Sequence, residues 1–251
     1  MPTAADRAAE SHPVADVTVP LPDGSGLKAA IALPTAGGPS PGLLVLHESF
    51  GLNRDIRRIA GRLAGMGYAA LAPDLFSHGN RLICLTRVMM DSIKGAGPSV
   101  LADLEAARSY LADRPEVDGG RVGVIGFCQG GGFALAFAAR GGLKVAAVNY
   151  GAVPRETRSL EGVCPVVASY GATDRIYGRQ AQRLERHLAS LGVPHDVKAY
   201  DGAGHSFLSY DNGPSWMLRL PNPMHVGYDE AAAEDAWTRI GDFFAKYLTA
   251  G

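Results

Sequence analysis

Apolar and polar positions alternate over Val14–Pro20 and again over Leu27–Leu33, with Pro-Asp-Gly-Ser-Gly between the two runs. A period of two marks a strand with one covered face, and the Pro/Gly cluster marks a turn, so the pair reads as an antiparallel hairpin. The pattern then changes. Gly42–His47 is a short continuous apolar run, which fits a strand covered on both faces. Asn53 to Met66 has helical periodicity, with Asn53 placed as an N-cap and Gly67 as the stop. Tyr68–Ala72 reads as a second buried strand ending at Pro73-Asp74. Pro98 to Asp113 reads as a helix, with Val100, Leu101, Leu104, Ala107 and Leu111 on one face. Arg121–Ile125 is a further strand, followed by an alanine-rich helical run from Phe133 to Ala139. Val145–Asn149, Val163–Tyr170 and His195–Tyr200 complete the strands, and Ile176–Leu191 and Tyr228–Leu248 the helices. Strands alternating with helices predict an α/β fold: a mostly parallel sheet with helices on both faces and an antiparallel hairpin at its start. In such sheets, ligands bind at the carboxyl ends of the strands.

The 251 residues contain no linker-like or low-complexity stretch and no internal repeat, so one domain over residues 13–251 is expected, preceded by a flexible polar tail over 1–12. A net charge of −1 offers nothing to attract nucleic acid or an anionic membrane. No run of about 18 apolar residues occurs, so no membrane span is expected. The first twelve residues lack the apolar core of a secretory leader, which points to the cytoplasm. Cys84, Cys128 and Cys164 show neither metal-ligand spacing nor a C-x-x-C pair, so reduced thiols are expected, with no metal and no cofactor. Oligomeric state is open at this level.

The chemistry centres on Gly126-Phe127-Cys128-Gln129-Gly130-Gly131-Gly132. Strand, G-x-nucleophile-x-G and helix is the layout of a nucleophile elbow, here with cysteine where serine is usual. A cysteine nucleophile needs a base, and the base needs an orienting carboxylate. Asp174 follows the Val163–Tyr170 strand, and His205 follows the His195–Tyr200 strand within Gly202-Ala203-Gly204-His205. Nucleophile, acid, histidine is the chain order of α/β-hydrolases. Taken singly, Asp174 reads as a helix cap, His205 as a loop-packing residue and Cys128 as a core thiol; their shared order at strand carboxyl ends favours a triad. Cys164, beside Pro165 in an apolar strand, reads as core, and Cys84 as packing.

Four blocks make the chain resemble the dienelactone hydrolase (carboxymethylenebutenolidase) family over about Val14 to Leu248: His47-Glu48-Ser49-Phe50-Gly51-Leu52-Asn53, Ala72-Pro73-Asp74-Leu75-Phe76, the Cys128 elbow, and Gly204-His205-Ser206-Phe207. The resemblance implies a single-domain α/β-hydrolase fold, no cofactor, and cleavage of a small ester or lactone. It implies Cys128 as nucleophile, His205 as base and Asp174 as its orienter. Glu48 would be an extra carboxylate that holds the resting thiol and helps form thiolate. The backbone N–H groups of Gln129 and Ser49 would form the oxyanion hole. Phe50 and Trp216 are substrate-contact candidates, and the long Ser209–Gly227 stretch is a candidate lip over the pocket. Family members acting on dienelactone carry an arginine shortly after the histidine; none stands here before Arg219. A second family arginine is matched by Arg81 or Arg87. Acyl transfer on the same residues, or a silent ligand-binding or redox-sensing protein built on Cys128, are the alternatives.

Overall fold

The computed structural model describes residues 12–35, 37–77, 96–210 and 223–248. Most of the tail over 1–12, and the candidates Cys84, Arg81, Arg87 and Trp216, lie outside the described residues. The elements are β1 (Val14–Pro20), β2 (Gly26–Ala32), β3 (Ser40–Leu46), α1 (Arg54–Gly65), β4 (Ala69–Pro73), α2 (Pro98–Ala112), β5 (Val117–Phe127), α3 (Gln129–Ala138), β6 (Ala146–Asn149), a 3₁₀ turn (Thr157–Leu160), β7 (Val166–Gly171), α4 (Gln180–Ser190), β8 (His195–Tyr200) and α5 (Glu230–Leu248). The strands form one sheet in the order β1-β2-β4-β3-β5-β6-β7-β8. β1 pairs with β2 and β2 with β4 in antiparallel fashion; every later pairing is parallel. This is the mostly parallel α/β sheet with an antiparallel start that the sequence pattern predicts, and the α/β-hydrolase arrangement that the family resemblance implies.

Leu43, Leu44, Val45 and Leu46 of β3 have no exposed surface, which requires cover on both faces of the sheet. One cover is α1 with α5, joined where Arg62 pairs with Glu234 at 3.1 Å and lies 4.6 Å over the Trp237 ring. The other includes α2 and α3, which both pack on β5. Among the described residues, no helix is long and apolar enough to cross a membrane.

Local chemistry sets the element ends. Asn53 caps α1 by accepting the Ile56 N–H at 3.0 Å, and Gly67 takes φ 94° past its end, as the sequence suggests. Several boundaries differ from expectation, three of them for a clear local reason. β5 begins at Val117 because Ser40 and Val117 pair before a register shift at Pro41/Gly42. α3 begins at Gln129, four residues early, because Gly130, Gly131 and Gly132 are helical residues rather than turn formers. α4 starts only at Gln180: the Asp174 side chain accepts the Ile176 and Tyr177 N–H groups at 2.8 and 3.0 Å and folds them into a turn.

Candidate active site

Cys128 stands between the last residue of β5 and the first of α3, at φ 52° and ψ −117°. A non-glycine residue there costs on the order of 1–3 kcal/mol and persists only where the surroundings over-determine it. They do so through main chain. The Cys128 N–H donates to the Asn149 carbonyl at 3.0 Å, and Asn149 Nδ2 donates to the Gly126 carbonyl at 3.2 Å. A Cβ at Gly126 would run into the Gly130 carbonyl, one at Gly130 into the Leu46 and His47 carbonyls, and one at Gly131 would lie 2.7 Å from the Asn149 oxygen. Only glycine lets β5, α3 and the neighbouring strand ends approach this closely. Cys128 is left half-buried.

Asp174 and His205 lie on the loops after β7 and β8, as expected. Asp174 uses one oxygen for a turn and the other for His205. Its Oδ1 holds the Ile176 and Tyr177 N–H groups, while Oδ2 accepts from His205 Nδ1 at 2.7 Å. That bond keeps a proton on Nδ1 and leaves Nε2 to Cys128. The imidazole is 3% exposed, packed by the Tyr150 and Tyr177 rings with centroids 5.0 Å away on each side. Among the described residues its Nε2 makes no hydrogen bond of ordinary geometry, and Cys128 is near enough to act on it by a weaker bond and by charge. Burial opposes charge on His205, but Asp174 and Cys128 outweigh it and push the imidazole up to about 10. The backbone of this loop is clasped as well. The His205 N–H donates to the Met224 carbonyl at 2.8 Å, and Gly227 N–H donates to the His205 carbonyl at 3.2 Å. Gly204 is pressed against the His225 carbonyl, with no room for a Cβ.

Glu48 follows β3 and is 5% exposed. Ser209 Oγ donates to its Oε1 at 2.8 Å and Ser206 Oγ to its Oε2 at 3.3 Å. The Tyr150 hydroxyl lies 3.1 Å from Ser209 Oγ and, since the Ser209 proton is on Glu48, is the donor of that pair. Burial raises the Glu48 carboxyl above the usual range; Ser209, His205 and Tyr150 offset part of that rise. Among the described residues, the carboxylate's hydrogen bonds therefore run to two serines rather than to the thiol. Ser49 and Phe50 are exposed in a tight turn closed by Gly51 N–H donating to the Glu48 carbonyl at 3.1 Å, with Gly51 at φ 80°. Of the candidate lip, only Ser209, Tyr210 and residues 223–227 are described.

Four site residues escape sequence reasoning. Tyr150 sits at φ 42° just past β6, beside the elbow strand, and Asn149-Tyr150-Gly151 was its only signal. Ser206 and Ser209 face Glu48 across more than 150 residues of chain, which no local pattern reveals. Tyr177 is visible only once the Asp174 turn is known. Cys164 is buried, as expected, and burial pushes its thiol up to about 12. Among the described residues, no group of three or more His, Cys, Asp or Glu side chains could hold a metal ion. A groove of about 850 Å³ lined by Leu21, Ala106, Tyr110 and Pro115 runs along α2 and contains none of the site residues.

The arrangement holds a half-buried thiol on a strained corner, an imidazole whose tautomer a carboxylate fixes, and a second, buried carboxylate. The chain is 31% identical to the carboxymethylenebutenolidase of Rhodococcus opacus, over 83% of this chain and 82% of that protein. The structure of a dienelactone hydrolase-like promiscuous phosphotriesterase from metagenomic libraries superposes with a TM-score of 0.79 at 27% identity, covering 94% of this chain and 99% of that one. The dienelactone hydrolase of Anabaena variabilis, at 20% identity and a TM-score of 0.72 over 95% of this chain and 99% of that one, shares the fold. The dienelactone hydrolase family model matches residues 27–248, and the chain belongs to that family.

Proposed function

We propose that this protein hydrolyses a small ester or lactone through a Cys128–His205–Asp174 triad and a thioester acyl-enzyme. The observation that carries the reading is the Asp174 Oδ2–His205 Nδ1 bond of 2.7 Å, which leaves Nε2 to the positive-φ cysteine. With the Cys128 proton on His205 Nε2, the Sγ thiolate attacks the carbonyl carbon. The carbonyl electron pair moves to oxygen, and backbone N–H groups of Gln129 and Ser49 receive the charge. Each such donor is worth roughly 3 kcal/mol of barrier. Collapse expels the alkoxide or enolate, which takes the proton from His205. Acylation removes the thiolate that helped to hold His205 charged, so the imidazole is a neutral base when water attacks the thioester.

Positions 206–209 after His205 carry no arginine, and the two serines there are engaged with Glu48. A substrate carboxylate approaching this corner meets a buried acid instead of a guanidinium, so neutral esters and lactones are favoured over carboxylated ones. The test is hydrolysis of p-nitrophenyl acetate and of a dienelactone by wild type and Cys128→Ala, with mass spectrometry of the quenched enzyme. A Cys128-linked acetyl adduct and loss of turnover in the variant are expected, with the neutral ester the better substrate. Full turnover by Cys128→Ala would sink the mechanism. Transfer of the acyl group to an added alcohol faster than to water would replace hydrolysis by acyl transfer.

A further inference from the structure

His47 stands outside any triad order, yet it is 1% exposed at the end of β3, one residue before Glu48. Both of its ring nitrogens are engaged with main chain. Nδ1 lies 2.7 Å from the Glu48 carbonyl oxygen, which only accepts, so Nδ1 carries the proton. Nε2 lies 3.1 Å from the Leu75 N–H, which only donates, so Nε2 carries none. The two bonds together admit one form of the ring, the neutral Nδ1–H tautomer. The ring spans two loops at the carboxyl edge of the sheet: the one that follows β3 and the one that follows β4.

The carbonyl that His47 holds also closes the Glu48–Gly51 turn, by accepting the Gly51 N–H. Ser49 is the second residue of that turn, and Glu48 the first. On the other side, the Phe76 ring packs on the His47 ring at 4.8 Å between centroids, and a Cβ at Gly51 would come 3.1 Å from the same Phe76. The turn is therefore held from its carbonyl end by a hydrogen bond and from its Gly51 end by packing. We propose that His47, as the neutral Nδ1–H tautomer, is a positioning residue that sets the Glu48–Gly51 turn and through it the Ser49 N–H. This rests on the reading of Ser49 as an oxyanion donor.

The groups facing the ring agree with a fixed neutral form. Burial, the largest influence, lowers the imidazole's pKa; the Glu48 carbonyl and Asp74, 3.8 Å from Nε2, pull the other way without overcoming it. Protonation would also cost the Leu75 bond, because Nε2 would become a donor facing a donor.

The proposal predicts a split between rate and affinity. His47→Ala frees the turn and is expected to lower kcat roughly ten- to a hundredfold, the scale of a small misplacement at a reacting centre, with KM within about threefold. Iodoacetamide alkylation of Cys128 should keep its wild-type rate, since the thiol and its base are untouched. His47→Asn places an amide donor near the Nδ1 position and should recover much of kcat; His47→Gln, which offers an acceptor near Nε2, should recover less. Long-range ¹H–¹⁵N spectra of the wild-type imidazoles give a readout that needs no variant, with His47 expected as neutral Nδ1–H between pH 6 and 9. An Nε2–H tautomer or a charged ring at pH 7 would overturn the assignment. A His47→Ala kcat within twofold of wild type would overturn the positioning role while leaving the triad standing, provided Cys128→Ala is inactive. An active Cys128→Ala would instead remove the triad reading on which this rests.

Discussion

Ser209→Ala removes the shorter of the two serine bonds on Glu48 and does so without a large cavity. Ser209 Oγ donates to Oε1 at 2.8 Å and lies 3.1 Å from the Tyr150 hydroxyl. A bond to an ionised carboxylate is worth about 1.5–3 kcal/mol and one between neutral hydroxyls about 1 kcal/mol. The first exists at full strength only while Glu48 is ionised, and the second is independent of pH. The loss should therefore be about 3 kcal/mol where Glu48 is charged and about 1 kcal/mol where it is protonated. The sign of the pH dependence follows from burial. A folded-state carboxyl pKa above the ordinary value means the folded protein binds more protons than the unfolded chain in that window, so stability falls as pH rises through it. Ser209 is one of the groups that hold Glu48 down, so its removal raises the pKa further and widens the window upward. Urea unfolding followed by tryptophan fluorescence from pH 4.5 to 9 reads this directly. With an m-value of about 3 kcal/mol/M, the midpoint should drop by about 1 M at the alkaline end and about 0.3 M at pH 4.5. An equal shift at both ends would show that the Ser209 bond does not distinguish the two states of Glu48, and the account of the buried carboxylate would fail.

Three further outcomes are expected. Asp174→Asn keeps an acceptor for the Ile176 and Tyr177 N–H groups but loses the charge facing His205, so kcat should fall by roughly 10³–10⁴ while the fold persists. His205's folded value of about 10 exceeds its ordinary 6.5; its contribution to stability is complete below 6.5 and lost as pH rises through about 10, and the Asn variant should lose much of that slope in urea titrations. Gly204→Ala drives a methyl group into the His225 carbonyl and should cost at least about 2 kcal/mol and most of the activity, judged by thermal unfolding and kcat together. Peptide mapping after iodoacetamide at pH 8 should find Cys128 alkylated and Cys164 untouched, because burial holds the Cys164 thiol near 12; rapid native-state labelling of Cys164 would contradict that burial.

What could be read from the sequence was whatever depends on neighbours along the chain. The β3 run, the Asn53 cap, the Gly67 stop and the elbow all declare themselves within a few residues, and each appears where expected. Chain order alone selected Asp174 and His205, and the structure brings them to hydrogen-bonding distance. The start of α4 lies later than the pattern suggests because an aspartate that caps a turn and one that begins a helix carry the same local signal. The support beneath Glu48 was not legible at all. Ser206, Ser209 and Tyr150 reach it from loops after other strands, and only the closed sheet sets them side by side. His47 could be excluded as a triad base by its place in the chain, but its ring bonds to main chain required the Leu75 loop to be in position.

The glycines of this site also bear on how the protein can change. Gly126 meets Gly130, Gly131 meets Gly151, and Gly171 meets Gly204, each as backbone against backbone. At such seams there is no side chain to trade for another, so a compensating second substitution has nothing to act on. The rim is different: Phe50, Ile176 and Tyr210 present exposed side chains on separate loops of the same edge of the sheet. New substrate preference should therefore accumulate at the rim, while the glycine seams stay fixed, and a library that randomises both would spend most of its members on chains that do not fold.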